Sequence, residues 1–207
     1  MRSFAVCLLA VVPCLCAAPP VLAGGGPLGI DSQLNYDNSG IFARTNQNIL
    51  IYSLMGAVGV SALWEGGEDR FGKTSWQAVD SGVSTGIAAY VLKYAFSRER
   101  PDQTNDPNKW FTGHGQSFPS GEVTTVTALV TPYMLEYGKD NPAVYALALL
   151  PVYDAYARMK VRGHWQTDVI AGAGLGFAGG YFVRKLPKPL VLSIMPRGIQ
   201  IGLKRQF

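Results

Sequence analysis

The sequence predicts an all-α fold, an antiparallel bundle of about five or six helices with an active site at one end. Apolar stretches of helical length recur along the 207 residues. Clusters of proline, glycine and charge punctuate them. Short polar motifs fall at successive helix ends, and an antiparallel path brings such ends together.

Residues 1–23, MRSFAVCLLAVVPCLCAAPPVLA, place one arginine before an apolar run ending in Val-Leu-Ala, the pattern of a secretory signal peptide cleaved before Gly24. An uncleaved anchor helix is the alternative, against which Pro13, Pro19 and Pro20 interrupt the run. Residues 24–207 then form a single helical domain, expected in the periplasm, with inner-membrane embedding as the other reading. Cys7, Cys14 and Cys16 all lie in the leader. A mature chain without thiols has no disulfides, thiolate metal sites or cysteine nucleophile.

After a polar lead-in, residues 48–64 (NILIYSLMGAVGVSALW) predict the first helix and WEGGEDRFGKTS a loop. Residues 76–96 predict the second, which Pro101 and Pro107 forbid from continuing. Further helices are expected from Ser120 to Tyr137, from Ala143 to about Arg158, and from about Gln166 to Arg184. The tail PLVLSIMPRGIQIGLKRQF alternates about Pro-Arg-Gly, which favours a short C-terminal β-hairpin. Asp80, Glu136 and Asp154 within these runs suit a bundle core at least as well as a membrane span, and the spacing of Gly172, Gly174, Gly176 and Gly179 permits close helix contact in either solvent.

Three motifs carry chemistry. The second helix ends in Lys93-Tyr-Ala-Phe-Ser-Arg-Glu-Arg100-Pro101, two cations that could equally complement the helix dipole. Phe-Pro-Ser120-Gly121-Glu122 opens the third helix, whose free N–H groups can receive an anion, although Ser120 is also a good N-cap and Gly121 a turn residue. Arg158 precedes His164 by six residues and Asp168 follows it by four, so that His164 and Asp168 can share one helical face and the carboxylate can fix the imidazole tautomer. In an antiparallel bundle all three motifs lie at the same end. Lys93, Arg100, Arg158 and the Ser120–Gly121 backbone then surround His164 as an anion pocket with a nucleophile. The net charge of +4 suits an anionic substrate or lipid surface and is too dispersed for nucleic acid.

K-x6-RP, PSG and R-x5-H-x3-D, in this order across residues 93–168, resemble the signature of the type 2 phosphatidic acid phosphatase superfamily, which includes bacterial acid phosphatases, lipid phosphatases and vanadium haloperoxidases. The resemblance implies that His164 attacks phosphorus to give a phosphohistidine, that Asp168 orients it, and that Lys93, Arg100, Ser120, Gly121 and Arg158 bind the phosphoryl oxygens without a metal or other cofactor. Two positions depart from the pattern. Ala157 stands where a serine commonly precedes the arginine, and Glu122 stands where a histidine ordinarily protonates the leaving group. Glu122 could supply that proton in acid, giving an acidic optimum. His114, in WFTGHGQSF, is the second candidate if its loop folds over the pocket, and an exposed loop histidine if it does not. Trp110, Phe111 and Trp165 are candidates for a hydrophobic entrance, with core packing as the other role for Trp165.

The expected function is an exported phosphatase acting on phosphomonoesters, lipid phosphates or lipid pyrophosphates. A non-catalytic phosphate- or headgroup-binding envelope protein is the alternative, and a haloperoxidase, with vanadate as its cofactor, ranks below both. The expected partner is a phosphorylated small molecule or lipid, with a membrane surface as a further candidate.

Overall fold

The computed structural model describes residues 24–191. The expected leader and all but the start of the expected hairpin lie outside that range. Among the described residues, five α-helices are named as α1 (Arg44–Glu65), α2 (Arg70–Phe96), α3 (Gly121–Tyr137), α4 (Leu149–Lys160) and α5 (Gln166–Arg184), a helical bundle as predicted. α3 is central, packed against α5 on one side and α2 on the other, with α1 and α4 outside.

Three boundaries differ from the sequence reading, the first being α1, which begins at Arg44 and not at residue 48. α2 begins at Arg70 rather than near residue 76, because the Asp69 carboxylate accepts the Gly72 N–H and caps the helix inside the segment that reads as a loop. The helix expected from Ala143 opens instead as a 3-10 stretch, Pro142–Ala148, and becomes α-helical only at Leu149. Pro151 explains the switch: it has no N–H for the carbonyl four residues earlier, and its ring crowds that carbonyl.

Thr-rich α3 can be central because its hydroxyls are satisfied within the helix. Thr124, Thr127 and Thr131 each donate to the carbonyl four residues back at 2.7 Å, leaving methyl groups for packing. The α5 face that meets it is Gly172, Gly176 and Gly180, where an added Cβ would come within 2.6 Å of the Ser120 carbonyl, 2.4 Å of the Thr124 carbonyl and 2.6 Å of Thr131 respectively. Gly174, part of the spacing read from sequence, faces open space, while Gly179 meets α2 at Thr85. The seam draws the N-termini of α3 and α5 together, and the Ser120 N–H donates to the Asp168 carbonyl at 3.0 Å. Asp80, buried in α2, accepts the backbone N–H groups of Leu190 and Val191, so the first described residues of the expected hairpin are helical and not extended.

Candidate active site

The three motifs meet at one end of the bundle, as the antiparallel path requires. They flank a polar cleft of about 350 Å³ lined by Arg44, Arg100, Glu122, Arg158 and Gly163, among others. A second cleft, of about 430 Å³, runs along the 3-10 stretch past Ala143, Leu147 and Leu150, away from the motifs and without a titratable side chain.

His164 is buried in the loop just ahead of α5 and is not on the helix. Its Nδ1 lies 2.7 Å from the Ser117 carbonyl. A carbonyl only accepts, so Nδ1 carries the proton, and Nε2 keeps its lone pair with no protein partner among the described residues. The sequence reading gave this orienting role to Asp168. That carboxylate stands 3.8 Å from Nδ1, too far for a hydrogen bond. It accepts instead from the Ser117 hydroxyl, the Trp165 N–H at 2.8 Å and Arg98 Nη1 at 2.7 Å, and so fixes the two chain segments that hold the imidazole. Burial, helped by Arg158 and Lys93 and opposed by Asp168, pushes the imidazole down to about 3, which keeps it neutral and nucleophilic. Burial tends to raise the Asp168 carboxyl, but His164, Arg98 and Ser117 together hold it below its ordinary range.

Arg98 and Asp31 complete this network and were not recognised in the sequence. Arg98 is fully buried, with Nη2 at 2.6 Å from Asp31 and its guanidinium over the Trp110 ring at 4.3 Å. Asp31 also accepts the Thr167 N–H and hydroxyl. The signal available was a third cation inside K-x6-RP, one more than a helix end needs. Trp165 is buried and donates Nε1 to the Glu99 carbonyl, the packing role. Phe111 is 71% exposed.

Of the anion-binding candidates, Lys93 donates Nζ to the Gln116 and Pro119 carbonyls at 2.8 and 2.7 Å, which places it beside Gly121. Burial, and then Arg100, lower it to about 8. Arg100 lines the cleft, and its guanidinium has no hydrogen bond among the described residues. Arg158 lies over Gly163, where a Cβ would come within 2.6 Å of Nη2, so a side chain before His164 would displace the guanidinium. Ser120 does not cap α3: its hydroxyl is buried and unpartnered. Its N–H is taken by the Asp168 carbonyl, and the Gly121 amide is one of the first-turn N–H groups left without a partner among the described residues.

The two proton-donor candidates separate in the structure, His114 as the exposed loop histidine that its sequence context allowed and Glu122 as a cleft residue. His114 has a side chain 74% exposed and lies 3.5 Å from Glu99, an exposed loop histidine that does not cover the cleft. Glu122 lines the cleft, but Arg44 from the first turn of α1 grips both its oxygens at 2.6 and 2.7 Å, and Arg158 Nη1 stands 3.7 Å away. Burial works to raise the Glu122 carboxyl. Arg44 and Arg158 outweigh it, so the carboxyl sits below its ordinary range and is ionised. Arg44 is the counter-charge the sequence reading lacked.

A profile of the PAP2 superfamily matches residues 76–191. The lipid A 1-phosphatase of Rhizobium etli is 36% identical over 100 residues, covering 45% of this chain and 42% of that protein. That of Porphyromonas gingivalis is 36% identical over 90 residues, 42% of this chain and 18% of that one. The match thus spans less than half the length of either relative. The crystal structure of Aquifex aeolicus LpxE superposes with a TM-score of 0.53 at 21% identity, over 69% of this chain and 85% of that one, a likeness of fold. With more than half of its length matched, and with Lys93, Ser120, Arg158 and His164 gathered as the motifs require, the chain belongs to the PAP2 superfamily.

Proposed function

We propose that this chain is an exported, membrane-associated phosphatase that removes phosphate from a lipid phosphate, without a metal or other cofactor, through a phosphohistidine on His164. The observation that carries the reading is the neutral His164, with Nε2 free, set among Lys93, Arg158 and the orphaned Ser120 hydroxyl. Nε2 attacks phosphorus, the bond to the leaving oxygen breaks, and the electron pair goes to that oxygen. Arg100, Arg158, Lys93, Ser120 and the Gly121 amide hold the three other oxygens as charge redistributes. Water then attacks phosphorus from the opposite side, the P–N bond breaks, and phosphate leaves.

Glu122 is the group placed to protonate the leaving oxygen. Arg44 and Arg158 keep it ionised, so the proton has to be loaded when the phosphate dianion draws on those guanidiniums and raises the carboxyl by its own charge. This predicts an acidic branch in the pH–rate profile that Glu122→Gln removes, with a loss of roughly 10²-fold on a poor leaving group and little on a good one. An optimum above neutrality that is unchanged in Glu122→Gln would overturn the assignment.

A lipid substrate is supported by the relatives and by the surface. α1 is the one helix among the described residues long and apolar enough to cross a membrane, and Ile49, Met55, Val60, Leu63 and Trp64 on it are exposed. A panel of soluble esters, phosphatidic acid and polyprenyl pyrophosphate, run beside His164→Ala, tests both activity and class. Release of phosphate from the lipids alone is expected. Binding of phosphate with no release at any pH would leave a headgroup-binding protein instead.

A further inference from the structure

Asp154 has no part in that mechanism. It lies on α4 one helical turn before Arg158, it is fully buried, and neither of its oxygens has a hydrogen-bond partner among the described residues. The Arg158 Nε is buried and unpartnered as well. Two opposite orphans one turn apart on the same helix are an unusual thing to leave in a core, because buried polar groups are nearly always paired.

The charged and titratable groups around Asp154 come from three helices: Arg44 from α1, Glu122 from α3, and Arg158 with the neighbouring Tyr153 from α4 itself. Gln47 of α1 ties the two guanidiniums together, its Oε1 accepting from Arg44 Nη1 at 2.7 Å and from Arg158 Nη1 at 3.3 Å. Asp154 therefore acts on the cleft through charge and not through a hydrogen bond: its neighbours are Glu122, which lines the cleft, and the two arginines that hold Glu122.

We propose that Asp154 is a positioning residue that sets the grip of the anion site through Arg158 and Arg44. As a neutral acid it leaves both positive charges to the ligand, and as a carboxylate it draws them back. The inference rests on the anion-binding half of the function proposed above and not on its chemistry. Burial, and then Glu122, push the Asp154 carboxyl up to about 7 against Arg158 and Arg44, so the change of state falls in the neutral range. Linkage then requires that anion binding and proton uptake favour each other.

Sulfate is the suitable probe, because its charge is constant from pH 6 to 8 while that of phosphate is not. Calorimetry on the full chain, in two buffers of different ionisation enthalpy, reads both affinity and proton uptake. The wild-type protein should lose sulfate affinity roughly tenfold between pH 6 and 8 and take up protons on binding near pH 7. Asp154→Asn should abolish most of the affinity loss and the proton uptake centred near pH 7, leaving the smaller loss due to Lys93 and any uptake by Glu122, which grows toward acid pH instead of peaking near 7. An Asn variant whose affinity falls as steeply as wild type would overturn the proposal. So would wild-type protein that binds sulfate without proton uptake, a result that needs no variant to fold. The expected sulfate pattern in a protein that hydrolyses nothing would uphold this inference while overturning the phosphatase reading, and absence of sulfate binding at either pH would overturn both.

Discussion

The two sides of the cleft are built on opposite terms. On the His164 side, Asp31, Arg98, Asp168 and Ser117 are buried, and the three charged groups among them are ion-paired at 2.6 and 2.7 Å. On the Glu122 side, Glu122 is partly exposed, Arg44 reaches in from α1, and the Ser120 hydroxyl, the Asp154 carboxyl and the Arg158 Nε all lack partners among the described residues. A satisfied network rigidifies what it holds, whereas an unsatisfied one carries a cost that a ligand can relieve. The imidazole is thus fixed in advance, and the anion-binding groups wait for their anion.

The sharpest way to break this comparison is to open the satisfied side. Asp31→Ala leaves Arg98 with one carboxylate where it had two, and should cost about 3–5 kcal/mol of stability, read from denaturant unfolding. A loss no larger than that of a surface substitution would show that the network is not what holds the site.

Asp154→Asn tests the unsatisfied side with the opposite sign. The folded carboxyl titrates at about 7, above its unfolded value, so the folded chain keeps a proton that the unfolded chain has released. Stability is full near pH 4 and falls as the pH rises through 7. The Asn variant should therefore match wild type near pH 4 and be more stable at pH 8 by about 2–4 kcal/mol. Equal pH dependence of the two melting curves would contradict this.

Ser120→Ala should have the smallest effect on stability, within about 1 kcal/mol of wild type, because no hydrogen bond is lost. It should nonetheless weaken inorganic phosphate binding by about 1.5–3 kcal/mol, the value of a hydrogen bond to a charged group. Unchanged phosphate affinity would remove Ser120 from the anion site.

What could be read from sequence was local. The bounds of α3 and α5 follow apolar runs closed by polar segments, and the motifs announce themselves by spacing within one stretch of chain. What could not be read was pairing at a distance. Arg44 meets Glu122 across 78 residues, and Asp31 meets Arg98 across 67. No periodicity encodes either contact, so only Lys93, Arg100 and Arg158 could be set against a proton on Glu122; the Ser117 carbonyl that holds His164, 47 residues away, was equally out of reach. The α5 glycines show the same limit: spacing suggested close contact, but only the packed seam separates Gly176, pressed on α3, from Gly174, which touches nothing. Asp154 read merely as a charge inside a helix, because its significance lies in what surrounds it and what it lacks.

The central claim is that His164 is the nucleophile, and trapping the covalent intermediate tests it most directly. A single turnover of radiolabelled phosphatidic acid, quenched in alkali, should leave label on wild-type protein that is acid-labile and maps to His164, and His164→Ala should carry none. Phosphate release by wild type with no label at any quench time, or label that persists in His164→Ala, would contradict the account.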